Sequence, residues 1–359
     1  MDFDASPFNP VDNIILSQLS YLALDNIVPG PEDKGDISIS DAAKAFHKKL
    51  SSQNGAGIIP TFKEDPDLFQ ALGTSKRFAD CSLFGFVNKI DTVREIQFSA
   101  VSVRTGGSAG FTAFRGTDTS VVGWKEDFNM CFREVIPSQT EAGYYLENMA
   151  SHISGSLRIG GHSKGGNLAI YAASNCGKNI QERITDVYAN DSPGFHKNIL
   201  SRAGYASVKN RIRAYVPQSS IIGMLLNHSV EHIVIKSGES GLMQHNLYSW
   251  EVTHNDLVRA EKPTTGSRFI NKTLHEWLDN IENEHRKEFI EALFHILTSS
   301  DVKSFSELEK SWFEAVGKVL KSISHMDESK RKIIRKTLKE LIICGGRNIE
   351  SLIKQKIDD

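Results

Sequence analysis

The stretch RIGGHSKGGNLAIYAA, residues 158–173, decides the fold. Its first residues form a short apolar strand-like run, and its last residues indicate a helix whose small side chains allow close packing on a sheet. Between them, Gly161-His162-Ser163-Lys164-Gly165 is typical of a sharp strand-to-helix turn that holds its central residue in a strained backbone conformation. Glycines two residues on either side let strand and helix pass closely. The pattern predicts that Ser163 is a nucleophile; the alternative is a glycine-rich connection without chemistry.

Strand-like and helix-like runs alternate around this turn. Upstream, three runs within residues 83–116 are separated by turn residues and predict a β-meander. Downstream, strand-like runs occupy residues 184–191, 211–217 and 232–237. Strands that alternate with helices form a largely parallel sheet covered on both faces, so the expected fold class is α/β with a mostly parallel central sheet.

The chain divides into three predicted regions. Residues 1–60 are expected to be an N-terminal helical segment packed on the core, with helices over 11–24 and 41–50. Residues 61–253 form the α/β core, and residues 254–359 form a helical extension of three or four amphipathic helices. The basic run at 331–339 is interpreted as the solvated face of a helix; the alternative is peripheral contact with an anionic membrane surface.

Composition limits the classes of partner. The chain has 359 residues, 40% of them hydrophobic, and a formal net charge of -2, which predicts a soluble globular protein rather than a nucleic-acid binder. Its four cysteines are far apart and lack the spacing of a zinc site or a disulfide framework. Neither a secretory signal nor a membrane span is recognised, so we expect a cytoplasmic protein. The oligomeric state stays open.

A serine nucleophile needs a general base, and His245 stands where one is expected. Hydrolases with a turn of this kind place their histidine in the loop after the final strand. His245 follows the strand-like run 232–237 through a short glycine-containing loop. His228 and His232 lie before or within that run, and His254 lies later.

Two backbone N–H groups are needed to stabilise the oxyanion of an acyl-transfer reaction. One is expected from Lys164, the residue after the serine, and one from Thr117, in a loop directly after an earlier strand. The other interpretation of this loop is a capped helix start, since Thr117, Asp118 and Thr119 are all good N-cap residues.

Several ordered motifs together resemble a family. AFRGTD at 113–118, EAGY at 141–144, GGHSKGGNLA at 160–169, VP at 216–217 and QHNLYSW at 244–250 are similar to the class 3 (fungal-type) lipase-like α/β-hydrolases, and closest to a bacterial branch of them. The resemblance implies an α/β-hydrolase fold and neither a metal nor an organic cofactor. It also implies Ser163 as nucleophile, His245 as base, and Thr117 with Lys164 at the oxyanion hole.

The acid of the triad departs from that family. Class 3 lipases resemble one another in an Asp-(Val/Ile)-(Val/Ile)-Pro segment after the penultimate strand, and here Ser220 occupies the corresponding position in VPQSSIIGMLL. Asp191, which follows the strand after the Ser163 helix, is the favoured substitute. An Asp in an Asn-Asp-Ser-Pro turn is also a common loop-capping residue. A Ser–His dyad without an acid is the remaining alternative.

These features predict a serine hydrolase that cleaves a small acyl ester or a lipid through an acyl-enzyme. A competing hypothesis of a different class is a non-catalytic scaffold of the same fold, with the C-terminal helices as a partner-binding or membrane-surface module. A third is that the same helices form a lid over Ser163.

Overall fold

A computed structural model describes residues 2–3, 5–52, 60–118 and 120–288 of the chain. Within these ranges one sheet contains eight strands, which follow one another in chain order across the sheet. The strands are β1 (Ile37–Ser38), β2 (Ser82–Asp91), β3 (Ile96–Arg104), β4 (Gly110–Phe114), β5 (Leu157–His162), β6 (Ile184–Asn190), β7 (Ile212–Pro217) and β8 (His232–Ile235). The helices are α1 (Pro10–Leu19), α2 (Ile39–Ser51), α3 (Asp65–Thr74), α4 (Val121–Asn129), α5 (Pro137–Ala150), α6 (Lys164–Asn175), α7 (Lys178–Arg183), α8 (Lys197–Leu200), α9 (Ala203–Val208) and α10 (Thr265–Asp279).

The sheet changes direction of pairing at β4. Strands β1 to β4 pair antiparallel, which confirms the predicted meander, and strands β4 to β8 pair parallel. The change follows from the connections, because a parallel pair needs a long crossover, and helix-containing segments lead from β4 to β5, β5 to β6 and β6 to β7. The α/β fold with a mostly parallel sheet is therefore confirmed.

Alternating side chains of β4 show that both faces of the sheet are covered. Phe111 and Ala113 belong to the apolar core cluster that includes the buried side chains of α1, α2 and α3. Phe114 points to the other face, where its ring centroid lies 5.8 Å from that of Tyr145 in α5. This follows from the two-residue period of a strand, which sends neighbouring side chains to opposite faces.

Helix α1 is shorter than predicted. It ends at Leu19 rather than Leu24, although Leu22 and Leu24 are buried in the core. The chain leaves the helix through tight turns, in which the N–H of Leu22 bonds to the carbonyl of Leu19. The apolar periodicity continued past the end because these turns bury their side chains in the same core.

Helix α3 and the two-residue strand β1 were not predicted. The helix nevertheless carries start signals, since Pro66 lies in its first turn beside Asp65 and Asp67. Its apolar residues Phe69 and Leu72 are three residues apart and both are buried. Such a short amphipathic segment, with a glycine near its end, is hard to distinguish from a loop in the sequence.

The chain separates into two compact units. Of the described residues, the first contains 2–3, 5–52, 60–118 and 137–263 and carries the eight-stranded sheet; the second contains 120–136 and 264–288. In the second unit, the Arg286 side chain donates a hydrogen bond to the carbonyl of Cys131 at 3.2 Å. The predicted helices beyond residue 288 lie outside the described residues, and the predicted region boundaries stay a prediction.

Among the helices in the described ranges, none is both long enough and apolar enough to cross a lipid bilayer.

Helix α6 approaches the sheet so closely that a side chain at Gly165 has no space. A Cβ built there lies 2.1 Å from the carbonyl oxygen of Phe114 in β4. A Cβ at Gly161, on the strand side of the turn, lies 2.4 Å from the carbonyl carbon of Gly165. Backbone atoms form both contacts, so a side chain could be accommodated only by moving the helix away from the sheet.

We expect Gly165→Ala to lower the free energy of unfolding by about 1–3 kcal/mol, because the new methyl group collides with the backbone of β4. Gly143→Ala in α5 is the matched control, since nothing lies within 4 Å of the added Cβ. It should raise the free energy of unfolding by up to about 1 kcal/mol through helix propensity. Urea unfolding followed by circular dichroism measures both; equal effects would show that α6 does not approach β4 this closely.

Candidate active site

Ser163 occupies the turn between β5 and α6 in a backbone conformation that residues with side chains rarely adopt. Its φ is 58° and its ψ is -133°. Its N–H donates to the carbonyl of Asn190 at 2.9 Å, and its carbonyl accepts from the N–H of Gly166 at 3.0 Å. Such a conformation costs on the order of 1–3 kcal/mol and persists only where the surroundings enforce it.

A buried amide network supports this turn from below. The Asn190 side chain donates to the carbonyl of Gly161 at 3.1 Å and accepts from the amide of Asn13 in α1 at 2.8 Å. Both asparagines are fully buried. Satisfied polar groups in a low-dielectric interior hold a specific geometry, so α1 contributes to the position of the turn.

Asp191 follows β6 directly and lies beside His245. Its carboxylate oxygen Oδ2 is 2.6 Å from Nδ1 of His245. The carboxylate is 1% exposed, and its backbone also has a positive φ, 46°. An ionised carboxylate only accepts, so Nδ1 carries the proton and the other ring nitrogen, Nε2, is left as the basic atom.

Ser220, at the position where the resemblance places the acid, is in contact with Asp191. Its hydroxyl donates to the Oδ1 oxygen of Asp191 at 2.5 Å, and the N–H of Gly223 donates to the same oxygen at 3.1 Å. A Cβ at Gly223 would lie 2.3 Å from that oxygen. The end of β7 therefore supplies hydrogen-bond donors to a carboxylate that comes from the end of β6.

His245 ends a short 3-10 turn, Gly241–His245, and its side chain is 28% exposed. The preceding residue anchors the turn, because the carbonyl of Gln244 accepts from the indole N–H of Trp250 at 2.9 Å. The Gln244 side chain accepts from the N–H of Ser219 at 2.7 Å. The loop that bears the imidazole is thus connected to the end of β7.

A buried carboxylate anchors the same loop a few residues further on. Asp65, at the start of α3, accepts from the hydroxyl of Tyr248 at 2.8 Å and from the amide of Gln18 at 2.7 Å. Burial raises the pKa of Asp65, against these hydrogen bonds. The contact joins α1, α3 and the His245 loop at one point.

The two predicted oxyanion donors lie on opposite sides of Ser163 in the chain. Lys164 begins α6, where the first N–H groups of a helix have no partner within the helix. Its side chain is buried, and Nζ donates to the Gln97 side chain at 2.8 Å. The contribution expected of Lys164 is therefore its backbone N–H and not its ammonium group. Thr117 is half-buried and follows Gly116, at which a Cβ would lie 3.0 Å from Cβ of Ser163.

His162, which the sequence analysis did not single out, connects the serine turn to His245. Its Nε2 is 2.7 Å from the carbonyl oxygen of His245, and its Nδ1 is 2.9 Å from the hydroxyl of Tyr21. The two imidazole centroids are 4.3 Å apart. Burial, reinforced by the neighbouring His245, holds the pKa of His162 well below its usual value of 6.5. The position of His162 inside the Ser163 motif is a sequence signal that could have indicated a role at the site. No sequence feature pointed to Tyr21.

No group of three or more His, Cys, Asp or Glu side chains is placed to hold a metal ion in the part of the chain that the structure describes.

A sequence model of the Mbeg1-like family matches residues 72–295. The chain belongs to the Mbeg1-like family. The matched range runs from within α3 to beyond α10 and includes Ser163, Asp191 and His245. No curated protein matches the chain significantly.

Two lipases are among the solved structures to which this Mbeg1-like chain is similar. The native Rhizomucor miehei lipase in its propeptide complex is 17% identical, with a TM-score of 0.34, over 44% of this chain and 57% of the lipase chain. M37 lipase is 14% identical, with a TM-score of 0.40, over 61% of this chain and 71% of the lipase chain. The match thus spans little more than half of the Rhizomucor miehei chain, and both likenesses are distant.

The lowered pKa of His162 predicts that acid destabilises the fold. Below pH 6.5 the unfolded chain binds a proton at this histidine while the folded chain does not. The free energy of unfolding therefore decreases as the pH is lowered. One such group contributes a slope of up to about 1.4 kcal/mol per pH unit. Urea unfolding between pH 7.5 and 5 should therefore show a shallower pH dependence in His162→Gln than in the wild type. Parallel curves would contradict a neutral, buried His162.

Proposed function

We propose that this protein is a serine hydrolase that cleaves carboxylic esters through an acyl-enzyme on Ser163. The observation that carries the proposal is the contact of 2.6 Å between Asp191 and Nδ1 of His245, on a loop bonded to the residue before Ser163. A carboxylate, an imidazole and a serine on a strained turn form the set of groups that activates a hydroxyl for acyl transfer.

The reaction begins when Nε2 of His245 takes the hydroxyl proton of Ser163 and the serine oxygen attacks the ester carbonyl carbon. Asp191 stabilises the imidazolium that forms. The backbone N–H groups of Lys164 and Thr117 hold the negative oxygen of the tetrahedral intermediate, an interaction worth about 10²–10³ in rate for a single donor.

The intermediate collapses when its bond to the alcohol oxygen breaks and His245 returns the proton to that oxygen. The alcohol leaves, and the acyl group stays bonded to Ser163. Water then attacks the acyl-enzyme while His245 takes one of its protons, and the carboxylic acid is released as the serine regains its hydrogen. The cycle uses no redox step and returns each group to its starting state.

The substrate class rests on the sequence resemblance more than on the mechanism. We propose a small acyl ester or a lipid, although a thioester or acyl transfer to another alcohol would use the same residues. We also place the protein in the cytoplasm, consistent with Cys81, Cys131 and Cys176 being free thiols. Burial raises the pKa of Cys81 to about 11, so it stays protonated.

A fluorophosphonate probe tests the nucleophile without knowledge of the substrate, because it reacts with activated serines. We expect a covalent adduct that peptide mapping assigns to Ser163, and no adduct in Ser163→Ala. Ser174→Ala, which removes a buried hydroxyl near the end of α6, is the matched control and should label like the wild type. No adduct in a folded wild type would fit either a lid over Ser163 or the non-catalytic scaffold. If the wild type also turns over no ester faster than Ser163→Ala, the hydrolase is excluded.

The acid is tested separately. Asp191→Asn should lower kcat/KM for p-nitrophenyl butyrate by about 10⁴-fold, because an amide cannot stabilise the imidazolium. Ser220→Ala removes a single hydrogen bond to the carboxylate and should cost about tenfold to a hundredfold. Ser237→Ala, whose hydroxyl bonds to Ser249 at 2.8 Å, is the control for loss of a serine hydroxyl and should leave kcat/KM unchanged. Full activity in Asp191→Asn would point to a Ser–His dyad.

A further inference from the structure

His162 links the two ends of the candidate active site. It is the last residue of β5, directly before Ser163, and only 2% of its surface is exposed. One ring nitrogen, Nε2, is 2.7 Å from the main-chain carbonyl oxygen of His245. The other, Nδ1, is 2.9 Å from the hydroxyl of Tyr21. The side chain therefore connects the turn that carries the serine with the loop that carries the base.

The partners of His162 determine its tautomer. A carbonyl oxygen can only accept, so the proton must be on Nε2. Nδ1 of the neutral ring then has a lone pair, which accepts the hydroxyl proton of Tyr21. The opposite tautomer would face the His245 carbonyl with a lone pair and lose this hydrogen bond.

We propose that His162 is a positioning residue of the active site: it holds the main chain of His245 at a fixed distance from Ser163, and Tyr21 holds the ring of His162 by donating to Nδ1. This inference rests on the proposed function, since it assigns a role to His162 in the reaction of Ser163. It adds the residue inside the serine motif, and a residue from the N-terminal segment, to the set on which turnover depends.

The hydrogen bond to Asp191 cannot provide this positioning alone. It acts on the ring nitrogen Nδ1 of His245 and sets the orientation of the ring. The bond from His162 acts on the backbone carbonyl of the same residue. Together they fix the ring and the main chain of His245, and a catalytic group displaced by about 1 Å can cost on the order of 10²-fold in rate.

The neutral state of His162 also favours protonation of His245 during turnover. With the two ring centroids 4.3 Å apart, a cationic His162 would oppose the positive charge that His245 gains during turnover. Burial keeps His162 uncharged, so its hydrogen bond to the His245 carbonyl forms without that repulsion. The groups that face the ring are the Tyr21 hydroxyl and the backbone and ring of His245.

Tyr21 is itself held in place where the chain leaves α1. Its ring packs edge-on against Phe62, with centroids 5.3 Å apart, and it is 4% exposed. Its hydroxyl lies 2.3 Å from a Cβ built at Gly116. The absence of a side chain at Gly116 therefore leaves space for the hydroxyl that orients His162.

Three variants test the proposal through kcat and KM for p-nitrophenyl butyrate and the labelling rate of Ser163. His162→Leu keeps the bulk but removes the donor, and should lower kcat about 10²-fold with little change in KM. His162→Gln keeps an N–H at the Nε2 position and should recover at least about tenfold of that loss. Tyr21→Phe should lower kcat by roughly tenfold, since Nδ1 of the ring loses the hydrogen bond that holds it.

The matched control is His47→Leu. His47 also bonds through Nε2 to a backbone carbonyl, that of Pro66 at 3.1 Å, but it joins α2 to α3. Its loss should leave kcat unchanged. Melting temperatures are measured for every variant, so that a loss of activity that only follows a loss of stability is recognised.

Two results would overturn the proposal. One is wild-type kcat in His162→Leu; the other is equal loss in His162→Leu and His162→Gln that follows their melting temperatures, which would show a purely structural histidine.

The tautomer of His162 provides a readout that does not depend on catalysis. ¹⁵N imidazole spectra should show His162 with its proton on Nε2 in the wild type and in Tyr21→Phe, with the Nδ1 signal shifted in the variant because its hydrogen-bond donor is lost. If these spectra are observed but Ser163 neither reacts with the probe nor turns over any ester, the hydrogen bond to His245 is supported and the hydrolase proposal fails. A wild-type spectrum with the proton on Nδ1 would rule out the hydrogen bond from His162 to His245, whatever the activity.

Discussion

The backbone of Ser163 is the constraint on which the rest of the candidate site depends. A residue with a side chain is held at a φ of 58° between the last residue of β5 and the first residue of α6. That conformation is maintained by close contact, because glycines on both sides allow the helix and the strand to meet at backbone distance. Hydrogen bonds from Asn190 and its network with α1 hold the same turn from below. The strain is confined to Ser163, whereas the groups that enforce its conformation belong to β4, β6 and α1.

The second feature is a carboxylate site to which two strand ends contribute. Asp191 comes from the end of β6, and its hydrogen-bond donors Ser220 and Gly223 come from the segment after β7. Neighbouring parallel strands end at the same edge of the sheet, so side chains from either end can reach one position. A buried carboxylate needs such donors, because an unpaired charge in the interior is costly. The arrangement gives Ser220 a physical role that does not require it to be the acid.

The N-terminal segment is part of this site and not a separate covering. Asn13 supports the serine turn, and Gln18 meets the buried carboxylate that anchors the His245 loop. Tyr21 reaches the residue before the serine. Polar side chains along α1 are buried because each has a partner on the core, which is why the helix lacks a simple division into one polar and one apolar face.

What could be predicted from the sequence was local. The turn at Ser163, the meander, the parallel strands and the α/β class follow from patterns that extend over a few residues, because glycine placement and side-chain alternation act on the nearest backbone. The end of α1 and the existence of α3 were missed, since turns and short helices can bury apolar residues with similar spacing. The contacts that define the site join distant residues: His245 lies 54 positions from Asp191, and His162 lies 141 from Tyr21. The sequence by itself determined the α/β class, the serine turn and the candidate groups; only the tertiary structure decided that Asp191 faces His245 and that His162 connects the His245 loop to the Ser163 turn, because hydrogen bonds depend on distances that packing sets.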